Sequence, residues 1–147
     1  MCGTTRFSAG SEPIVALHCH CADCRKATGA PYSTWAVFPR AAVAWRGREP
    51  KRVPFAERLR LVCPDCGAPL GAMPAEDAAI IVIAAGSLDH PETLKPLCHT
   101  WTEDQLPWVK IGDDLPRHRQ MMPAGSFAVT GHRLIRGQFP PSLAECR

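Results

Sequence analysis

The chain has no long hydrophobic run. Its longest purely apolar stretch, residues 78–85, has eight residues, far short of the roughly 20 that a membrane-spanning helix needs. It also lacks the apolar stretch of a secretory leader, because Met1-Cys2-Gly3-Thr4-Thr5-Arg6 runs into mixed sequence. The expected location is therefore the cytoplasm, where reducing conditions keep thiols free. Charge of one sign is scarce too. Seventeen Lys and Arg against 14 Asp and Glu leave a net charge of +3, a bias too weak to imply a macromolecular partner, so no nucleic acid is expected. Repeats and low-complexity tracts are missing, which excludes solenoids and arrays.

Proline, by contrast, is abundant. Fifteen prolines are about twice the usual frequency of roughly 5%, and they break the chain too often for long helices. Strand signals are short: residues 14–17, 33–38, 43–45, 58–62 and 80–83. Arg58-Leu59-Arg60-Leu61 alternates polar with apolar as a half-buried strand does, while Ile80-Ile81-Val82-Ile83 is apolar throughout and reads as central. Helix is expected only in small pieces, after Asp23 and around residues 74–79. The length fits one domain. The pattern weakens past Pro116, so a domain over residues 1–118 and a loose tail over 119–147 are expected, with residues 126–129 pairing at a sheet edge.

The chemistry lies in the cysteines, eight in 147 residues. Cys19-His20-Cys21-Ala22-Asp23-Cys24 places three thiols in six positions, and Cys63-Pro64-Asp65-Cys66-Gly67 adds a pair spaced by two residues. Thiolates at that spacing can grip one tetrahedral zinc at about 2.3 Å, whereas a disulfide between such neighbours would be strained. Two partitions follow. Cys21, Cys24, Cys63 and Cys66 can form one closed structural site, although the 38 residues between the pairs exceed the roughly 15–20 of a compact zinc ribbon and Cys19 is left over. Alternatively, Cys19, Cys21 and Cys24 hold one metal with an open fourth position while Cys2, Cys63 and Cys66 hold another. An open position marks catalytic zinc.

Three blocks, Cys19 to Ala30, Cys63 to Gly67 and Ala85-Gly86-Ser87-Leu88-Asp89, resemble in order and spacing the glutathione-dependent formaldehyde-activating enzyme family, which includes centromere protein V. The likeness runs from Cys2 to about His118 and takes in Pro96, His99, Trp101 and Pro107-Trp108-Val109. It implies a mainly β, zinc-binding tent fold of short antiparallel strands with few short helices, shared with methionine sulfoxide reductase B. It implies the second partition as well, with catalytic zinc on Cys19, Cys21 and Cys24 and structural zinc on Cys63, Cys66 and an N-terminal Cys-x-Cys-Gly. Only Cys2-Gly3 of that last motif is present, so the structural site lacks one family cysteine.

The resemblance further implies a carbon-sulfur lyase type of enzyme, acting on glutathione or a similar small thiol and on formaldehyde or another small carbonyl compound to give S-hydroxymethylglutathione. A non-catalytic zinc-binding interaction module is the alternative. Arg25 and Lys26, directly after the thiols, are candidates to meet the anionic groups of glutathione. His20, wedged between two ligand positions, is expected to point away from the metal. Ser87 and Asp89 suit a turn. Cys98 and Cys146 match no ligand position, and one of Trp101 and Trp108 could wall a pocket. A thiol redox enzyme is disfavoured, because only Cys98 and Cys146 are spare.

Overall fold

The computed structural model describes residues 1–55, 58–74 and 78–123. In chain order its elements are β1 (Thr5–Ala9), β2 (Val15–Cys19), α1 (Ala22–Thr28), β3 (Ser33–Pro39), β4 (Val43–Gly47), β5 (Lys51–Phe55), β6 (Arg58–Val62), β7 (Pro69–Met73), β8 (Ile80–Ala84) and β9 (His99–Thr100), with short 3-10 turns between them. The fold is mainly β, as expected. Among the described residues no helix is long and apolar enough to cross a membrane.

Seven strands form one sheet in the order β5-β6-β7-β8-β3-β2-β9, antiparallel except for the β2–β9 pair, and β1 with β4 makes a separate antiparallel ribbon. The apolar run of β8 sits in the middle of the sheet because both of its faces are covered. Side chains alternate across a strand, so β3 sends Trp35 and Val37 to one core and Ala36 and Phe38 to another, while β8 does the same with Ile80 against Ile81 and Ile83. The first core also takes in Cys19, Cys21 and Cys24, and the second contains Cys63. The ribbon closes the second core with Phe7 and Trp45, which lie opposite each other and meet edge to face at 5.4 Å.

Four strands are not foreshadowed in the sequence, and each has a reason. Strand β5 carries Pro54 inside it, which is tolerated because β5 is an edge. Strand β7 opens on Pro69 and contains Gly71, β9 is two residues long, and β1 is mostly exposed. Met122 is buried in the first core, and Trp101 N–H donates to Gln120 O at 3.0 Å, so residues 120–122 pack on the domain. Of the expected helix at residues 74–79, positions 75–77 lie outside the described residues. So do Cys146 and the expected edge strand at 126–129.

At Gly71 the backbone of β8 leaves no room for a side chain on β7. A Cβ built there would stand 2.2 Å from Val82 O, and backbone in mid-sheet cannot yield without parting the strands. Gly71→Ala should cost about 1–3 kcal/mol, the usual range for overpacking, read as a lower denaturant midpoint; an unchanged midpoint would refute the close approach.

Candidate thiol and metal site

Cys19 ends β2, Cys21 precedes α1 and Cys24 lies in its first turn, so a strand end running into a helix start gathers three thiols. Cys21 caps the helix through its sulfur, which accepts the Cys24 N–H at 3.3 Å. Gly29 ends the helix at φ 69°, a left-handed conformation that suits glycine, and its N–H returns to Arg25 O at 2.8 Å. The Cys19 and Cys21 sulfurs are 3.4 Å apart, all three sulfurs lie within 4.8 Å of one another, and all three residues are buried.

Such crowding opposes ionisation. The Cys19 thiol is held well above its ordinary range, first by hydrogen bonding with Cys21 and Cys24 and then by burial. For Cys24, hydrogen bonding with Cys19 pulls downward, but Cys21 and burial leave it raised on balance. Three thiolates cannot share this space without a cation, and a soft divalent ion would satisfy all three at once. The donor set therefore fits a metal.

A second group joins segments far apart in the chain. Cys2 Sγ lies 3.5 Å from Cys63 Sγ and 3.4 Å from Cys66 Sγ. Cys63 follows β6, and the turn is closed by Gly67, which at φ 71° donates its N–H to Cys63 O at 3.0 Å. Backbone N–H groups of Cys66 and Asp65 pull the Cys63 thiol down to about 6, so this cluster holds thiolate more readily than the first. It too fits a cation.

Behind the first cluster lies an imidazole network. His20 is fully buried, and its Nε2 meets His99 Nδ1 at 2.9 Å, while His99 Nε2 meets both carboxylate oxygens of Asp113 at 3.1 Å. His18 stacks on His99 at 4.7 Å and Tyr32 on His20 at 5.0 Å. Burial above all, followed by the neighbouring His99, pushes His20 down to about 4 and lowers His18 as well. Asp113 is held below the usual carboxylate range chiefly by its bond with His99. The carboxylate accepts from His99 Nε2, so a neutral His99 accepts in turn from His20 Nε2. His18, His99 and Asp113 also form a third group of potential ligands within 4.8 Å.

Other residues singled out in the sequence divide by placement. Arg25 directs Nη1 to the carbonyls of His20 and Asp104, both at 2.5 Å, tying α1 to the turn after β9. Lys26 is exposed on α1. Ser87 lies in a 3-10 turn with its hydroxyl on Ala84 O, and Asp89 pairs with Arg6. Trp108 is exposed, whereas Trp101 is buried beside the thiols. Cys98 lies in the core against Met122, and burial pushes its thiol up to about 11. Arg60 departs from its strand pattern. Alternation places it on the polar face, yet it is buried, with its guanidinium over the rings of Trp35 and Phe55. No local spacing signalled Arg60 or Asp113.

Fold and site together define a mainly β protein with two cysteine clusters whose geometry could hold a metal ion. The family model for the glutathione-dependent formaldehyde-activating enzyme matches residues 1–104, and the chain belongs to that family. Comparison with curated proteins finds no match. The matched span contains all six clustered cysteines, His20 and His99, while Asp113 lies beyond it.

The imidazole network makes a stability prediction. His99→Phe keeps a flat ring but leaves buried His20 Nε2 without its partner, which should cost about 1–3 kcal/mol. Asp113→Asn should cost less, because the Asp113 side chain is 45% exposed. Denaturant titration of both variants checks the order, and equal losses would contradict it.

Proposed function

We propose that the chain is a zinc-dependent, carbon-sulfur lyase-like protein that brings a small thiol such as glutathione together with formaldehyde or another small carbonyl compound. Membership of the family supports the thiol and aldehyde chemistry. The observation that carries the reading is the first cluster: three buried sulfurs within 4.8 Å, two of them, Cys19 and Cys24, on the wall of a cavity. Among the described residues no fourth Cys, His, Asp or Glu joins this group. Zinc bound there would supply a Lewis acid with one coordination position open to a soft sulfur or a carbonyl oxygen.

Around that position the chain itself does three things. It buries Cys19, Cys21 and Cys24 so that water does not compete for them. It anchors Arg25 across the entrance to α1 and leaves Lys26 exposed one residue on, which offers positive charge to the carboxylates of a glutathione-like ligand. It also keeps its remaining described thiol, Cys98, buried and protonated, which favours addition chemistry over thiol redox exchange. In that addition the sulfur bonds to the carbonyl carbon and the thiol proton passes to the carbonyl oxygen; the lyase direction is the reverse. The second cluster acts as a structural clasp, tying the residues before β1 to the β6–β7 turn.

Two measurements test this. With cobalt in place of zinc, glutathione at millimolar levels should change the thiolate-to-cobalt absorption, and Cys24→Ser should abolish the change. A spectrum indifferent to glutathione would overturn the enzyme reading in favour of a non-catalytic zinc module. Cys63→Ser and Cys66→Ser should lower the thermal midpoint more than Cys24→Ser does, because metal binding at a structural site is folding energy. Equal losses would erase the division between structural and catalytic clusters.

A further inference from the structure

The cavity beside Cys19 and Cys24 has an unusual wall. Trp35 from β3, Arg60 from β6 and Trp101 from the segment after β9 all line it. Each residue is buried, at 4%, 8% and 5% exposure, and each keeps a nitrogen donor, Trp35 Nε1, Arg60 Nε and Trp101 Nε1, that finds no acceptor. Of the five buried side-chain nitrogen and oxygen atoms left unpaired among the described residues, three belong to residues that line this one cavity. Buried donors are nearly always paired, so three orphans around one cavity call for an acceptor supplied from outside.

The backbone adds an independent observation. Trp101 is the one non-glycine residue at positive φ among the described residues, at φ 57° and ψ 40°. A bulky residue rarely adopts that left-handed conformation, and strain of this kind gathers at ligand sites. Trp101 is held there from both sides, its N–H on Gln120 O at 3.0 Å and its O accepting from Asp104 N–H at 3.1 Å. In this conformation Trp101 shares the buried cluster of Cys19, Cys21 and Cys24 and lines the cavity with two of them.

Size and charge then select the ligand. The cavity measures about 50 Å³, and a water needs roughly 10–15 Å³ of such space, so it takes a group of a few non-hydrogen atoms. Among the described residues no carboxylate pairs with Arg60. A carboxylate brings two oxygens with about four lone-pair sites, enough for the guanidinium and both indoles. Formaldehyde has one oxygen and would leave at least one donor unpaired.

We infer that this cavity is the acceptor subsite for a small 2-oxo acid of glyoxylate size, its carboxylate held by Arg60, Trp35 and Trp101 and its carbonyl carbon facing the thiol site. The inference rests on the thiol-addition reading above and narrows its carbonyl partner. The step is the same balanced addition: the sulfur-carbon bond forms, the carbonyl π bond opens, the thiol proton ends on that oxygen, and no oxidant or reductant is needed.

The test uses the zinc-loaded protein. Calorimetric titration with glyoxylate, with no thiol present, is compared with formaldehyde and repeated on Arg60→Gln and Trp101→Phe. Glyoxylate should bind at least tenfold more tightly than formaldehyde, and either substitution should erase that margin while the glutathione response of the cobalt-loaded variant persists. Should Arg60→Gln fail to fold, Trp101→Phe alone decides. Equal binding of the two aldehydes, or a margin indifferent to both substitutions, would overturn the subsite and leave the cavity to water. The two proposals fail separately: a cobalt spectrum indifferent to glutathione sinks the thiol reading, whereas the thiol-free glyoxylate titration reports on the subsite alone.

Discussion

The pairing of β3 with β8 is the constraint from which the rest of the molecule follows. Both strands are covered on both faces, so successive residues of each feed different cores: Trp35, Val37 and Ile80 one way, Ala36, Phe38, Ile81 and Ile83 the other. Burying side chains of this size contributes roughly 1.5–3 kcal/mol apiece, which makes the central sheet the most expensive part of the molecule to disturb. Each thiol cluster adjoins a different core. The chain thus assigns two clusters of similar composition to two different cores.

The clusters differ in electrostatics because they differ in backbone. Around Cys63 the knuckle turns its amides toward sulfur, so the thiolate is stabilised before any metal arrives. Around Cys19 the nearest groups are other thiols, and burial adds to the penalty on charge. The first arrangement suits a clasp that should remain closed. The second concentrates demand for positive charge beside a cavity, which is what a reactive site needs if the cation is also to engage a ligand. The His20–His99–Asp113 network stands behind the Cys19, Cys21 and Cys24 cluster and fixes the residue between Cys19 and Cys21, so the two thiols share one side of the chain while the imidazole takes the other.

Local pattern was enough to read the thiol spacings, the helix after Asp23, and the strands around Ser33, Val43, Arg58 and Ile80, because each signal fits within a few residues. A sequence-level likeness extended this to the family and to the expectation that Cys2 sides with Cys63 and Cys66. Strands β5, β7 and β9 escaped because their character comes from position: an edge that tolerates Pro54, a close approach that needs Gly71, and a two-residue pairing that exists only beside β2.

By itself the sequence determined which thiols could hold metal, since thiols two residues apart can meet wherever the chain turns. Tertiary structure alone decided what surrounds them. Arg60 reads as a solvent-facing residue of an alternating strand, and becomes a buried donor only because Trp35 and Phe55 close over it. Trp101 joins the thiols' core through a left-handed backbone whose N–H is held by Gln120, nineteen positions on. His99 finds Asp113 across a loop and His20 across 79 positions of chain. Contacts of that range carry no local period, because they are fixed by the packing of whole strands against one another and not by the spacing of neighbours.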